Sequence, residues 1–255
     1  MNLTESFNHH FQIVTPNSDK LMQEAMHLRY MVYCVENTLA EPKDHPSHIE
    51  TDRYDRHSVH RLIQHKRTGV LVGYVRLILS SSIGRWNRLP IEENFNRVFY
   101  KDALKSVQLK RKSLSEISRF IVSKRRLQRI TNRHLRDSDK KDTGPLFLPP
   151  VALGLFKAIF NMAMEKNVVH SYACLEPPLL RLLKRFGIVF KPIGPIVDYH
   201  GKRLPCFRSI VSLLSGIYLS RPDIWRFIIQ DSHGQDSHGV YLNDDGKPYW
   251  FREVS

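Results

Sequence analysis

Cysteine is scarce in this chain: Cys34, Cys174 and Cys206 are the 3 cysteines in 255 residues, and they stand far apart. That number and spacing exclude a disulfide framework and a zinc ribbon, and they fit a reducing compartment. Long apolar runs are also missing, because no stretch reaches the ~18 residues that a membrane-spanning helix requires. The opening "MNLTESFNHHFQIV" has no basic segment followed by an apolar one, so it does not read as a signal peptide. These absences point to a soluble, cytoplasmic protein. Acid is the other shortage: 25 Asp and Glu stand against 39 Lys and Arg, a formal net charge of +14. A surface of that sign attracts nucleic acid, anionic lipid or an acidic protein. Composition does not choose among them.

What acid there is gathers in one place. The stretch "ETDRYDRHSVH" holds Glu50, Asp52 and Asp55 within six residues. Carboxylates at short spacing suit a hard cation. They also suit a buried network with arginines, or simply a solvated turn.

Apolar residues make up 42% of the chain, enough for a sizeable core. Residues 18–37 read as a helix, with Ser18 as N-cap and Leu21, Ala25, Leu28 and Val32 on one stripe. "SVHRLIQH" (58–65) and "VLVGYVRLIL" (70–79) read as strands joined by a turn at "KRTG". The second is apolar almost throughout, as a strand buried on both faces would be. "SEISRFIVS" (115–123) is a third strand, on which Glu116 and Arg119 should face opposite ways. The densely charged 124–142 reads as an exposed excursion, partly helical or mobile. A helix over 150–166, a strand over 168–175 and a helix over 177–186 follow, the last started by Pro177 and Pro178 and stopped by Gly187. Strands are expected near 188–199 and 205–213, and a short helix from Pro222. The order predicts one α/β domain over 1–215 with a mixed central sheet flanked by helices, and a separate tail over 216–255. The tail repeat "DSHGQDSHG", with His233 and His238, reads as a solvated linker.

Four stretches, "LRYMVYCVEN", "ETDRYD", "VGYVRLI" and "LSEISRFIV", occur in this order. Together they resemble the acyl-homoserine-lactone synthases, a branch of the GNAT acyltransferase fold, across about residues 20–215. They also resemble the acyltransferases associated with PEP-CTERM/exosortase systems, and the N-acyl amino acid synthases are related. The resemblance implies a GNAT-like fold and an N-acyltransferase that moves an acyl group from a thioester to a small amine. It implies a charged network of Arg29, Glu50, Asp52, Asp55, Arg76, Glu116 and Arg119, with the helix aromatic at Tyr33. On that reading the acidic cluster belongs to a salt-bridge network beside the active site, no metal is expected there, and no cofactor is tightly bound. Glu116 is the implied base, directly or through a water, since an amine attacking a thioester must lose a proton. The resemblance also implies a bulge in this strand. The oxyanion would be met by a backbone N–H near Phe120 or Ile121. Phe156, Phe160 and Tyr172 are candidate liners of an acyl channel, or plain core.

Two departures from the family pattern refine this. The segment "VSKRRLQRI" carries no glycine where coenzyme A users keep a Gly-rich loop, which points to an acyl carrier protein as donor, with acyl-CoA as the alternative. Carrier proteins are acidic, and the basic surface suits one. The implied docking positions are Arg181, Lys184 and Arg185, extended by Lys124, Arg125, Arg126 and Arg129. Leu39 stands where lactone synthases usually have a tryptophan that helps hold S-adenosylmethionine. That favours a free amino acid or similar small amine as acceptor over lactone synthesis. A rival of another class is a non-catalytic binder of nucleic acid or a membrane surface. It explains the charge but not the acidic cluster, and specific nucleic-acid binding is not expected. Peripheral membrane contact is a further expectation.

Overall fold

The computed structural model describes residues 2–81, 87–105, 107, 109–137, 148–199, 201–230, 241–242 and 248–249. The chain divides into two compact units, Met1–Ile78 with Ile117–Ile159, and Leu79–Glu116 with Phe160–Ser255.

The first unit opens with α1 (Leu3–His10), whose capping box pairs Asn2 and Glu5. It runs directly into β1 (Phe11–Val14), which pairs antiparallel with β2 (Ser58–His65). Neither α1 nor β1 was expected, because elements this short carry too few apolar repeats to show a period. β2 is antiparallel to β3 (Leu71–Leu79) through a turn in which Gly69 takes φ +69°. The order continues to β4 (Leu114–Val122), and the unit boundary falls inside that strand. β3 is buried over all but its last residue, as its apolar run predicts.

The expected first helix is present in two parts. Ser18 caps α2 (Asp19–Tyr30), which passes into a π-helical turn over Met31–Glu36. Its apolar stripe packs Ala25, Leu28 and Val32 against Leu62, Leu71, Tyr74 and Ile121. The charged stretch after β4 is the helix α4 (Lys124–Asp137), held by buried Leu127 and Ile130. Residues 138–142 of that expected excursion lie outside the described residues. The long apolar helix is α5 (Leu148–Glu165). Gly154 on α5 leaves room for the Phe7 ring, which a Cβ there would meet at 2.0 Å.

In the second unit α3 (Pro90–Phe95) precedes the start of β4, and Ser115 meets Ser171 of β5 (His170–Leu175) at 2.8 Å. Pro177 and Pro178 open α6 (Pro177–Arg185), and Gly187 follows at φ +78°. The expected strand near 188–199 is cut into β6 (Lys191–Pro192) and β7 (Val197–Asp198), both paired to β8 (Lys202–Ser209). Strand order here is β5–β8–β6.

The expected strand over 205–213 ends early. Ser209 accepts from Ser212 N and starts α7 (Ile210–Ser220), whose buried Ile210, Leu213, Leu214 and Ile217 recur at helical spacing. The expected boundary at 215/216 falls inside this helix. The helix from Pro222 is present as α8 (Pro222–Ile229), with Ile224, Trp225, Phe227, Ile228 and Ile229 buried. The histidine repeat, with His233 and His238, lies outside the described residues. Among the described residues no helix is long and apolar enough to cross a membrane.

Candidate active site

The acidic cluster folds its own loop before it meets any arginine. Glu50 N donates to the Met26 carbonyl of α2 at 3.2 Å, tying the loop to that helix. Asp55 Oδ2 accepts from Asp52 N at 2.8 Å, and Asp52 Oδ1 accepts from Tyr54 N at 2.9 Å. The three carboxylates are thereby presented together.

Three arginines from three elements close on them. Arg29 of α2, with no exposed surface, donates Nε to Glu50 at 2.5 Å and Nη1 to Asp55 at 2.6 Å. Arg76 of β3, also buried, donates Nη1 to Asp52 Oδ1 and Nη2 to Asp52 Oδ2, at 2.6 and 2.8 Å, and Nη1 also reaches Asp55 at 2.6 Å. Arg119 of β4 donates Nη2 to Glu50 at 2.8 Å and to Asp52 at 3.1 Å. All three acids are therefore shared between arginines on different elements, and the solvated-turn reading of the stretch fails. The carboxylates face guanidinium groups, which repel a metal cation.

Burial alone would push the acids up. The charges of Arg119 and Arg29 outweigh it at Glu50, and the bonds and charge of Arg76 outweigh it at Asp52, bringing each down to about 2. At neutral pH Glu50 and Asp52 are therefore ionised within the arginine cluster.

Arg119 reaches the cluster through an irregular backbone. It takes φ +53° in mid-strand, a left-handed conformation uncommon for any residue but glycine. In a regular strand Ser118 and Arg119 would face opposite sides. Here Ser118 Oγ accepts from Arg76 Nη2 at 3.1 Å while Arg119 bonds Asp52, so consecutive side chains converge on one cluster. This is the kind of re-aiming that the expected bulge would give. Tyr33, in the π-helical turn, places its ring 5.1 Å from the Arg119 guanidinium carbon.

Two members are new relative to the sequence reading. Tyr74 OH accepts from Arg29 Nη1 at 3.3 Å and lies 2.7 Å from His60 Nδ1, whose Nε2 is 3.1 Å from the Asp55 carbonyl. Burial, and then the positive Arg76 and Arg29, holds His60 below its ordinary range. Burial pushes Tyr74 up to about 12, so phenol and imidazole are both neutral at pH 7. Tyr74 stands two residues before Arg76 on one strand face, and His60 is the cross-strand partner of Arg76. That parity was a usable signal, hidden inside an apolar run.

Glu116, the implied base and the expected fourth acid of the network, belongs to the other unit. It is buried, and its Oε2 accepts from Ile91 N at the start of α3 at 2.8 Å. Phe120 stacks at a tilt on Phe156, with centroids 5.7 Å apart. Phe156, Phe160 and Tyr172 are all buried core residues. Tyr172 packs on Phe207 and Phe99, at 5.1 and 6.3 Å. Arg181, Lys184 and Arg185 are exposed on α6, and Lys124, Arg125 and Arg129 are exposed on α4. Arg126 instead turns inward, donating Nη1 to the Leu71 carbonyl at 2.9 Å. At the N-terminus of α4, Ser123 Oγ accepts from Arg126 N at 3.2 Å and donates to Glu36 Oε1 at 2.5 Å.

Residues 28–135 match a family model described as an acetyltransferase (GNAT) domain, a span that includes every member of the charged network. No curated protein sequence matches the chain. Among solved structures the chain is similar to TofI in a ternary complex with an inhibitor and MTA (16% identity, TM-score 0.56, covering 81% of this chain and 95% of that one). It is similar to BjaI, a CoA-dependent acyl-homoserine lactone synthase solved with MTA (16%, TM-score 0.54, 84% and 89%). It is also similar to FeeM, an N-acyl amino acid synthase from uncultured soil microbes (14%, TM-score 0.53, 83% and 96%). At these identities the likeness establishes the fold, which is a mixed α/β GNAT-like one with helices flanking the sheet.

Proposed function

We propose that this protein is an N-acyltransferase that moves a fatty acyl group from an acyl carrier protein thioester to the amine of an amino acid or similar small amine. The observation that carries this reading is the closed Arg29–Arg76–Arg119 network on Glu50, Asp52 and Asp55, built on a GNAT-like fold. Likeness to an N-acyl amino acid synthase and to a lactone synthase supports an acylated amine as product. The kinship with exosortase-associated acyltransferases belongs to the same proposal.

In this reading the amine nitrogen attacks the thioester carbonyl carbon. Its proton passes to Glu116, directly or through a water, and the thiolate leaves. A backbone N–H near Phe120 or Ile121 meets the developing oxyanion, at the point where Arg119 breaks the strand. The network holds that segment and Tyr33 in place. Phe156, Phe160 and Tyr172 border the acyl chain.

The donor assignment rests on the start of α4. Helix N-termini bind phosphate through unpaired N–H groups. Here the Glu36 carboxylate and Ser123 hydroxyl already occupy that end, and no glycine opens it to a pyrophosphate. An acidic carrier protein docked on Arg181, Lys184 and Arg185, with Lys124 and Arg125 as a second basic face, is the better donor. Acyl-CoA, on which BjaI depends, is the alternative. The rival acceptor is S-adenosylmethionine, giving a homoserine lactone, and Leu39 in place of the tryptophan speaks against it. The protein is placed in the cytoplasm, where carrier proteins and free amino acids meet. Mass spectrometry of lipid extracts from an expressing strain tests the reading. N-acyl amino acids support it, acyl-homoserine lactones favour the rival, and no new acyl amide favours a non-catalytic binder.

A further inference from the structure

Two adjoining segments of the second unit expose side chains that a water-facing surface has little reason to carry. Val98, Tyr100, Ile196 and Tyr199 are 37%, 55%, 55% and 41% exposed. The segments are held side by side. Tyr100 N donates to the Ile193 carbonyl at 2.7 Å, and the Phe95 and Tyr199 rings meet edge to face at 5.0 Å. Gly194 lies against the Val98 carbonyl so closely that a Cβ there would stand 2.9 Å from it. The apolar exposure is thus one feature shared by 98–100 and 196–199, rather than four scattered residues.

The charge around it has one dominant sign. Arg97, Lys101, Lys191 and Lys202 are all exposed on these segments or on the strands that continue them. Asp102 is paired with Lys105, and the opposing charges nearby include exposed Glu93 and Asp198, the register partner of Lys202. Protruding apolar and tyrosine side chains among lysine and arginine are the composition of a surface that seats at a lipid headgroup layer. Tyrosine is enriched at that interface, and cations add attraction to anionic lipid. The carriers of these side chains are short: a 3-10 turn over Asn96–Val98 and a two-residue strand over Val197–Asp198. A stable protein interface takes a broader face of roughly 20–30 residues a side.

We infer that this face docks the protein peripherally on an anionic lipid surface, with Val98, Tyr100, Ile196 and Tyr199 entering the headgroup region and the four cations contacting lipid phosphates. The inference stands apart from the acyl-transfer reading, since it uses none of the residues assigned to the site.

The test is flotation of the full chain with phosphatidylcholine vesicles, with and without 30% phosphatidylglycerol, at two salt concentrations. The 30% is a design choice of about the anionic content at which surface attraction becomes strong. A protein of net charge +14 will adsorb to anionic vesicles through any basic face. The deciding variant therefore keeps every charge: Tyr100→Ser with Ile196→Ser. We expect binding to the anionic vesicles only, weakened at least about tenfold by the double substitution, as loss of two buried apolar side chains implies. Thermal melting checks that the variant is folded, and Val98→Ser with Tyr199→Ser provides a second charge-preserving pair. Equal vesicle binding by folded variants would overturn the inference, as would no binding by the parent. Concentration-dependent self-association of the parent, abolished by the same substitutions, would assign the face to a second copy of the chain and also overturn it.

Discussion

Arg76 holds Asp52 with both terminal nitrogens, Nη1 to Oδ1 at 2.6 Å and Nη2 to Oδ2 at 2.8 Å, in a fork that lysine cannot reproduce. The guanidinium is almost fully buried, and its third bond, to Asp55, ties it to the carboxylate that Arg29 also holds. Removing Asp52 would leave a buried charge short of its partner. We expect Asp52→Ala to cost about 3–5 kcal/mol, seen in urea unfolding as a lower midpoint at unchanged slope. A loss under about 1 kcal/mol would mean the pair behaves as an exposed one.

The same network sets a pH dependence. Glu50 and Asp52 sit near 2 when folded, below their ordinary values of 4.5 and 3.8. A carboxylate depressed in this way adds stability that is complete above its unfolded pKa and is lost as pH falls towards the folded one. His60 is also depressed, from 6.5, and as a base that favours the neutral form it adds stability above that value and loses it as pH falls. Unfolding free energy measured against pH should therefore begin to fall below 6.5 and drop steeply between about 4.5 and 2. His60→Gln should flatten only the upper part. A profile level from pH 7 to 3 would contradict the network.

Arg119 combines a left-handed backbone with bonds to two carboxylates. Arg119→Lys keeps the charge and loses the fork. It should lower turnover by roughly tenfold to a hundredfold through misplacement of the strand segment beside it. Melting should change little. Wild-type turnover would remove Arg119 from any positioning role.

The donor assignment separates by salt. Arg181, Lys184 and Arg185 are exposed on one helix, and α6 is amphipathic around buried Leu183. Arg185→Glu should weaken use of acyl carrier protein mainly through association rate, with a defect that shrinks as salt rises. Use of a short acyl-pantetheine thioester should be unaffected. Equal loss on both donors would end the docking assignment.

Much of this was legible in the residues. β2 was read to the residue, and β3 to within one, because an apolar run bounded by turn residues reads as a strand. Of the seven residues that the resemblance implies for the network, six are joined in acid–arginine pairs, and Glu116 accepts from Ile91 N. What stayed hidden has physical reasons. His60 enters the cluster across the β2–β3 register, a pairing no single strand displays. Tyr74 looked like core because it is core, with one polar atom put to use. Along the helix at 124–137, Leu127 and Ile130 are buried among a dense run of charges, which obscures a helical stripe. The end of β8 turned on one capping serine, Ser209, beside residues apolar enough for either element.

In the proposed reaction Glu116 takes the amine proton in an acyl transfer to an amino acid. The direct measurement is product formation by the purified protein from acyl carrier protein thioester and amino acid, followed by mass spectrometry, for the parent and for Glu116→Gln. We expect N-acyl amino acid from the parent, and turnover about two to four orders of magnitude lower from a variant that melts at the same temperature. Near-parental turnover by that folded variant would contradict it.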